Sequence, residues 1–182
     1  MKKTVCLLAV LLVFQVVMAQ EAAKTESVTL KTVEPFFYAA VEMTGTYDEH
    51  TTAFSSLYEQ AGAQSLDMQQ APFGVYYNNP SSTPTEELKW EVCLTVSGEK
   101  ELKAPLKLKK WDFTQVASRM YTGSYSSEEF GNAYMELFTW IQSNGYVPAG
   151  PMMEKFLTNP EQNTDGEWVG TVEMCQPVLK AQ

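Results

Sequence analysis

The chain has 182 residues, of which 45% are hydrophobic, and a formal net charge of −9. The apolar and aromatic content is high enough for a packed core and excludes a disordered chain. The acidic balance repels phosphate backbones, so we expect no nucleic-acid partner. With one histidine and no Cys-x-x-Cys pair, we expect neither a metal site nor a cofactor.

The first 19 residues have the pattern of a secretory signal peptide. Lys2 and Lys3 form a basic start, an apolar run follows, and Ala19 fits a small-residue cleavage site. The apolar run is shorter than a membrane span requires. We therefore predict export to the bacterial periplasm or medium, no membrane span after cleavage, and a polar lead-in over residues 20–33.

Cleavage would leave two cysteines, Cys93 and Cys175, at matching positions in two halves of the chain. Two interpretations stay open. An oxidising compartment allows a disulfide between them, and two separate buried thiols are the alternative. A bridge requires Cα atoms within about 7 Å of each other.

The first half predicts a strand followed by a helix. The run from Pro35 to Met43 is rich in aromatic residues and indicates the strand. Apolar residues at spacings of three and four then predict an amphipathic helix from Asp48, its expected N-cap, to about Gly62. His50 lies in the first turn of this helix. A solvated helix-start residue is the favoured interpretation, and a ligand or catalytic role is the alternative.

Two strands joined by a long polar turn follow this helix. Val75 to Tyr77 indicates the first, and Asn78-Asn79-Pro80 ends it. Trp90 to Val96 alternates between apolar and other residues, which predicts a half-buried strand. The lysine-rich run from Gly98 to Lys110 is typical of an exposed edge strand protected from self-pairing by charge. A basic binding patch is its alternative interpretation.

The second half repeats this order. Trp111 to Tyr121 indicates a strand, and an amphipathic pattern predicts a helix that is capped by Ser126 or Ser127 and ends at Asn144. Four markers occur in both halves about 80 residues apart: Thr-Gly-x-Tyr, Asn-Pro, Trp and Glu-x-Cys. We therefore predict one α+β domain over residues 34–182, with tandem strand–helix–strand–strand repeats at 34–98 and 103–178.

The motifs Val-Tyr-Tyr-Asn-Asn-Pro at 75–80, Val-Cys-Leu-Thr-Val-Ser-Gly at 92–98 and Met-Glu-Lys-Phe-Leu at 153–157 resemble the GyrI-like small-molecule-binding family. That family includes the DNA gyrase inhibitory protein and the effector-binding domains of multidrug-sensing activators. The resemblance extends over roughly 34–178. It implies pseudo-twofold modules, antiparallel sheets with helices on one side, and a cleft on the other side that binds lipophilic, often cationic molecules.

The resemblance places Glu154 where the family has a buried glutamate that neutralises the ligand, and Phe156 where it often has tyrosine. The residues support this role independently, because an ionised glutamate among apolar neighbours is costly to bury. In the first repeat, Gly74 takes the place of Glu154 and Tyr76 that of Phe156. A half-exposed strand residue is the alternative for Glu154. The candidate cleft walls are Tyr76, Phe156, Trp90 and Trp168.

The expected function is capture of a lipophilic, cationic or amphipathic small molecule by a monomeric exported protein. Some relatives hydrolyse strained cyclopropane-containing compounds, so a hydrolase that uses Glu154 to activate water or stabilise a cation is the alternative. Enzymatic activity stays open, although binding is favoured. A haem-binding relative with this fold is disfavoured, since the chain has a single histidine.

Overall fold

The computed structural model describes residues 24–25 and 27–182, so the predicted signal peptide lies outside the described residues. No helix in these residues is long and apolar enough to cross a membrane. The helices are α1 (His50–Ala63) and α2 (Glu128–Ser143). The strands are β1 (Lys24–Thr25), β2 (Thr29–Thr32), β3 (Phe36–Thr44), β4 (Phe73–Tyr76), β5 (Lys89–Val96), β6 (Lys107–Trp111), β7 (Gln115–Ser124), β8 (Tyr146–Pro148), β9 (Met152–Phe156), β10 (Glu161–Gln162) and β11 (Trp168–Lys180).

The strands form one antiparallel sheet with the central order β7-β11-β9-β4-β5-β3-β6. Each half supplies a strand, a helix and two more strands: β3-α1-β4-β5 in the first and β7-α2-β9-β11 in the second. The halves meet where β4 pairs with β9, and Gly74 lies opposite Glu154. A pseudo-twofold axis therefore passes between these two strands, and the predicted α+β repeat fold is confirmed.

Both helices pack on the same face of the sheet. Residues directly opposite each other in neighbouring strands share a face, and the row of such positions runs from Val92 through Gly74 and Glu154 to Met174. Val92 belongs to the cluster under α1 and Met174 to the cluster under α2. Glu154 therefore lies on the helix face, between the two helices.

The predicted helix starts agree with the structure to within a turn. The Ser127 hydroxyl caps α2 by accepting a hydrogen bond from the Phe130 N–H at 3.1 Å. Asp48 does not cap α1. It lies in a short 3-10 turn, Tyr47–Glu49, in which its own N–H donates to the Thr46 hydroxyl at 3.2 Å.

The sheet face opposite the helices is filled, which corrects the predicted position of the cleft. Three-residue segments, 33–35 and 112–114, connect β2 to β3 and β6 to β7, so the two ends of the sheet must curl towards each other. The enclosed face holds a core cluster that includes Phe73, Trp111 and Met153. The segment at 112–114 also interrupts the predicted strand from Trp111 to Tyr121.

This covered face also changes two strand predictions. In β5 both faces are buried, including Glu91 and Cys93, so the strand is not half-buried as its alternation predicted. Strand β6 is an edge strand, as predicted. All three of its lysines form ion pairs with acidic side chains: Lys107 with Glu42, Lys109 with both Glu42 and Glu91, and Lys110 with Asp112. This pairing disfavours the basic-patch alternative for the segment.

The structure rules out a disulfide between Cys93 and Cys175. Both thiols are free and buried, in the cluster of the enclosed face. Cys93 lies on β5 and Cys175 on β11, and strands β4 and β9 separate them. Three strand spacings place them roughly 14 Å apart, about twice the largest Cα distance that a disulfide spans. The matching positions of Cys93 and Cys175 in the two repeats are therefore far apart in the structure.

Candidate functional site

The carboxyl group of Glu154 lies in the middle of the sheet and is nearly covered. The residue is 7% exposed, and among the described residues it forms none of the ion pairs. Burial raises its pKa to about 8, and a hydrogen bond with Tyr76 acts in the opposite direction. At neutral pH the carboxyl group is therefore mostly protonated and neutral.

Tyr76 reaches Glu154 because a glycine leaves room for its ring. Gly74 and Tyr76 are two residues apart on β4 and so face the same side of the sheet. A Cβ atom on Gly74 would lie 2.4 Å from the Tyr76 hydroxyl oxygen. Because Gly74 lies opposite Glu154, the ring that folds over this glycine brings its hydroxyl within hydrogen-bonding reach of the carboxyl group.

His50 extends this contact to a third polar group. Its Nε2 atom lies 2.9 Å from the Tyr76 hydroxyl, and its Nδ1 atom bonds to the Tyr47 carbonyl oxygen. The ring centroid is 4.5 Å from that of Trp90. The prediction of a solvated helix-start residue is therefore wrong, because the 3-10 turn before α1 directs this side chain towards the sheet. Burial lowers the pKa of His50, although its bond to Tyr47 and the charge of Asp48 oppose the shift.

Four aromatic rings surround the carboxyl group in two matching pairs. Tyr47 and Tyr76, from the first repeat, have ring centroids 5.3 Å apart. Tyr125 and Phe156, from the second, are 6.2 Å apart. The charge of Glu154 contributes to the raised pKa of both Tyr47 and Tyr125, after burial as the larger cause. The carboxyl group is therefore within electrostatic range of a tyrosine from each repeat.

The hydroxyl of Tyr125 is buried and has no hydrogen-bond partner among the described residues. It is seated over another glycine, since a Cβ atom on Gly170 would lie 2.4 Å from it. Burial and then the charge of Glu154 raise its pKa to about 12. Its counterpart Tyr47 instead donates to the Asn78 carbonyl at 3.3 Å. A buried hydroxyl without a partner is costly, so Tyr125 is available to a bound molecule.

The structure brings some of the predicted site residues together but not all of them. Tyr76 and Phe156 lie in the ring group around Glu154. Trp90 is 1% exposed and packs against Tyr47 of this ring group. Its indole N–H donates to the Gly45 carbonyl at 3.2 Å. Trp168 is 44% exposed at the start of β11 and lies outside the core clusters.

The sheet register explains why the two tryptophans differ. Trp90 lies opposite Tyr76, whereas Val172 lies opposite the matching residue Phe156. Trp90 and Trp168 therefore occupy matching places in the sequence repeat but different places relative to the ring group. Sequence reasoning missed Tyr47, Tyr125 and Phe54 as site residues. The two tyrosines are the last residues of the Thr-Gly-x-Tyr motifs, so this repeated motif is the sequence feature that could have identified them.

The rings close the site in this structure. Phe54 of α1 contacts Phe156 across the gap between the helices, with ring centroids 5.4 Å apart. Two surface grooves in the described part of the chain, of about 460 and 360 Å³, have linings that do not include Glu154. Because Glu154 is only 7% exposed, a ligand that contacts its carboxyl group must displace neighbouring side chains.

The fold and the site define a small-molecule-binding module of α+β architecture. Residues 26–178 match the model of the GyrI-like small molecule binding domain, and the chain belongs to this family. A similar curated protein is the DNA gyrase inhibitor of Erwinia billingiae (strain Eb661), which is 30% identical over 112 residues. That match covers 60% of this chain and 70% of the relative.

Solved structures with the same fold include two that contain the protein EcmrR. The EcmrR C-terminal domain has a TM-score of 0.66 at 14% identity, with 85% of this chain and 98% of that domain covered. EcmrR in a complex with DNA has a TM-score of 0.70 at 16% identity, and the match covers 86% of this chain and 58% of that one. A hydrolase from Listeria innocua has a TM-score of 0.61 at 10% identity, with 84% and 92% covered. At these identities the likeness shows the fold alone.

Proposed function

We propose that this protein captures a lipophilic cation outside the cytoplasm, with Glu154 as the counter-ion. The observation that carries the proposal is a buried carboxyl group without an ion-pair partner among the described residues, surrounded by four aromatic rings. A carboxyl group in such a place stays neutral until a positive charge enters beside it.

The rings favour a cation over a neutral molecule of the same size. A cation held against an aromatic face gains about 0.5–2 kcal/mol from the ring quadrupole. The ion pair with an ionised Glu154 adds to this in a medium that screens charge poorly. The apolar parts of the ligand would replace the ring-to-ring contacts of Phe54 and Phe156 when the helices part.

The direct test compares a cation with a neutral analogue. Tetraphenylphosphonium and triphenylphosphine oxide are titrated by calorimetry into the wild type and into Glu154→Gln. We expect the substitution to weaken cation binding at least tenfold, about 1.4 kcal/mol, and to leave binding of the neutral compound nearly unchanged. Glu49→Gln is the matched control, since it removes an exposed charge one residue before α1. Equal losses for both compounds would remove the counter-ion role.

A hydrolase is the second candidate, and one observation favours it. The protonated Glu154 contacts Tyr76, which in turn contacts His50, so the site holds a proton donor next to a potential acceptor. Such a group can act as a general acid or base on a reactive compound. Turnover of a strained cyclopropane-containing compound by the wild type, and its loss in Glu154→Gln, would favour this candidate. Binding of that compound without product would favour capture.

Export is part of the proposal and rests on the sequence pattern of residues 1–19. We expect the protein in the periplasmic fraction or the medium of a bacterial host, with a mature chain that begins at Gln20. Cell fractionation and N-terminal sequencing test both points. A cytoplasmic protein with an intact N-terminus would contradict export without affecting the proposed ligand class. We also propose a monomer, which light scattering of the mature chain tests.

A further inference from the structure

The site contains a chain of three hydrogen-bonding groups that runs from β9 to α1. The carboxyl group of Glu154 contacts the Tyr76 hydroxyl, and this hydroxyl lies 2.9 Å from Nε2 of His50. At the far end, Nδ1 of His50 bonds to the Tyr47 carbonyl oxygen. A carbonyl oxygen accepts hydrogen bonds only, so Nδ1 carries a hydrogen in this arrangement.

Counting hydrogens along the chain leaves two arrangements in which every contact is a hydrogen bond. The Tyr76 hydroxyl has one hydrogen and can donate it in one direction only. If it donates to Nε2 of a neutral His50, then Glu154 must be protonated and donate to the Tyr76 oxygen. If it donates to an ionised Glu154, then His50 must be an imidazolium whose Nε2–H donates to the Tyr76 oxygen. Both arrangements contain the same number of protons.

We propose that His50 is the internal proton acceptor of the site. When a cation binds beside Glu154, the carboxyl proton passes to the Tyr76 oxygen and the Tyr76 proton passes to Nε2 of His50. The products are a carboxylate, a neutral tyrosine and an imidazolium, so no proton leaves the protein. His50 is thus a positioning residue that acts through Tyr76. This inference rests on the proposed cation binding and adds the route by which the counter-ion forms.

The surroundings of His50 fit both arrangements. Burial lowers the pKa of His50 and raises that of Glu154, which favours the neutral arrangement. The charge of Asp48 favours the imidazolium. The other groups that face the chain are Tyr47, from the turn before α1, and Tyr125, which follows β7; both are neutral at pH 7. The Trp90 ring on β5 and the Phe54 ring on α1 add apolar contacts.

The chain has a single histidine, so its imidazole signals need no assignment. Tag-free protein with ¹⁵N-labelled histidine is titrated with tetraphenylphosphonium at pH 6.5 and followed by NMR. We expect the free protein to show a neutral ring protonated at Nδ1 and the complex to show an imidazolium. A ring that stays neutral in the complex overturns the proposal. The measurement uses the wild type, so it does not depend on whether a variant folds.

Proton release provides a second readout. Calorimetry in buffers of different ionisation enthalpy counts the protons released per cation bound. At pH 6.5 we expect close to zero for the wild type, but about one for His50→Gln and Tyr76→Phe, which interrupt the chain. Between pH 6 and 7 the affinity of the wild type should be nearly constant. The affinity of His50→Gln should rise about tenfold per pH unit, as expected for loss of one proton.

The outcomes separate this proposal from the proposed function. Binding of tetraphenylphosphonium with release of one proton by the wild type overturns the role of His50 and leaves Glu154 as the counter-ion. Failure of the wild type to bind the cation at any pH overturns the proposed function, and the role of His50 with it. Binding without proton release by both the wild type and His50→Gln also overturns the role of His50.

Discussion

Two buried glutamates on opposite faces of the sheet have opposite surroundings. Glu91, on the enclosed face, is 2% exposed; it pairs with Lys109 and accepts a hydrogen bond from the Tyr77 hydroxyl at 2.8 Å. Glu154, on the helix face, is nearly as well covered, but its hydrogen bond is with the uncharged Tyr76. Burial alone therefore does not separate these two carboxyl groups. They differ in their ion pairing among the described residues, since Lys109 pairs with Glu91 and Glu154 forms none of the ion pairs.

The same difference is visible in how the two faces are closed. The enclosed face is covered by the curled sheet, whose ends are joined covalently by the short segments 33–35 and 112–114. The helix face is closed over Glu154 by side chains alone, where Phe54 of α1 contacts Phe156. Side chains change rotamers far more readily than a curled sheet opens. The cover over Glu154 can therefore move without any change in the sheet.

Replacing each glutamate by glutamine tests this comparison most strongly. Glu91→Gln removes the charged partner of Lys109 on this face, while Lys109 keeps its pair with Glu42, and we expect it to lower the free energy of unfolding by about 1.5–3 kcal/mol at pH 7. Glu154→Gln replaces a group that must lose its charge on folding, and we expect it to raise that free energy by up to about 3 kcal/mol. Urea unfolding at pH 7 measures both. Changes of the same sign would show that the two carboxyl groups have similar roles.

The pH dependence of stability sharpens the comparison. The pKa of Glu154 rises from 4.5 to about 8 on folding, so between these values the folded state binds more protons than the unfolded state. Stability from this group is present below pH 4.5 and is lost as pH rises, by about 1.4 kcal/mol per pH unit up to pH 8.

The measured quantity is the difference in unfolding free energy between the wild type and Glu154→Gln at pH 5, 6 and 7. We expect the difference to be close to zero near pH 4.5 and to grow in favour of the variant as pH rises. The partly buried His50 acts in the opposite direction below its ordinary pKa, but it is present in both proteins. A difference that does not change with pH would mean that Glu154 is ionised in the folded protein.

The sequence predicted the repeats and the burial of Glu154, because both depend on local patterns. Strand alternation placed Glu154 and Phe156 on one face, and the repeat markers aligned Gly74 with Glu154. The sequence did not predict which face holds the helices, because that depends on how the sheet curls over segments 33–35 and 112–114. Nor did it predict the position of His50, since a 3-10 turn before α1 directs the side chain and leaves little trace in periodicity.

A substitution at Gly74 tests whether the Tyr76 ring lies over this glycine, next to Glu154. In Gly74→Ala the new methyl group would lie 2.4 Å from the Tyr76 hydroxyl, so the ring must leave its place over Glu154. We expect a loss of about 1–3 kcal/mol in unfolding free energy, as for other overpacked sites. The matched control is Gly62→Ala in α1, where a Cβ atom has nothing within 4 Å. It should stabilise the protein by about 0.5–1 kcal/mol. Thermal unfolding of both variants measures the contrast, and equal behaviour would mean that Tyr76 is not held over Gly74.

The smallest expected effect concerns the two cysteines. Cys93 and Cys175 are buried as free thiols on strands that β4 and β9 separate, and burial raises the pKa of both. Because the thiolate is the reactive form, native protein should react slowly with a thiol reagent, and both thiols should react after unfolding. Reductant should leave the melting temperature of the mature protein unchanged. A lower melting temperature in reductant would show a disulfide, and would mean that the sheet order between β5 and β11 is different.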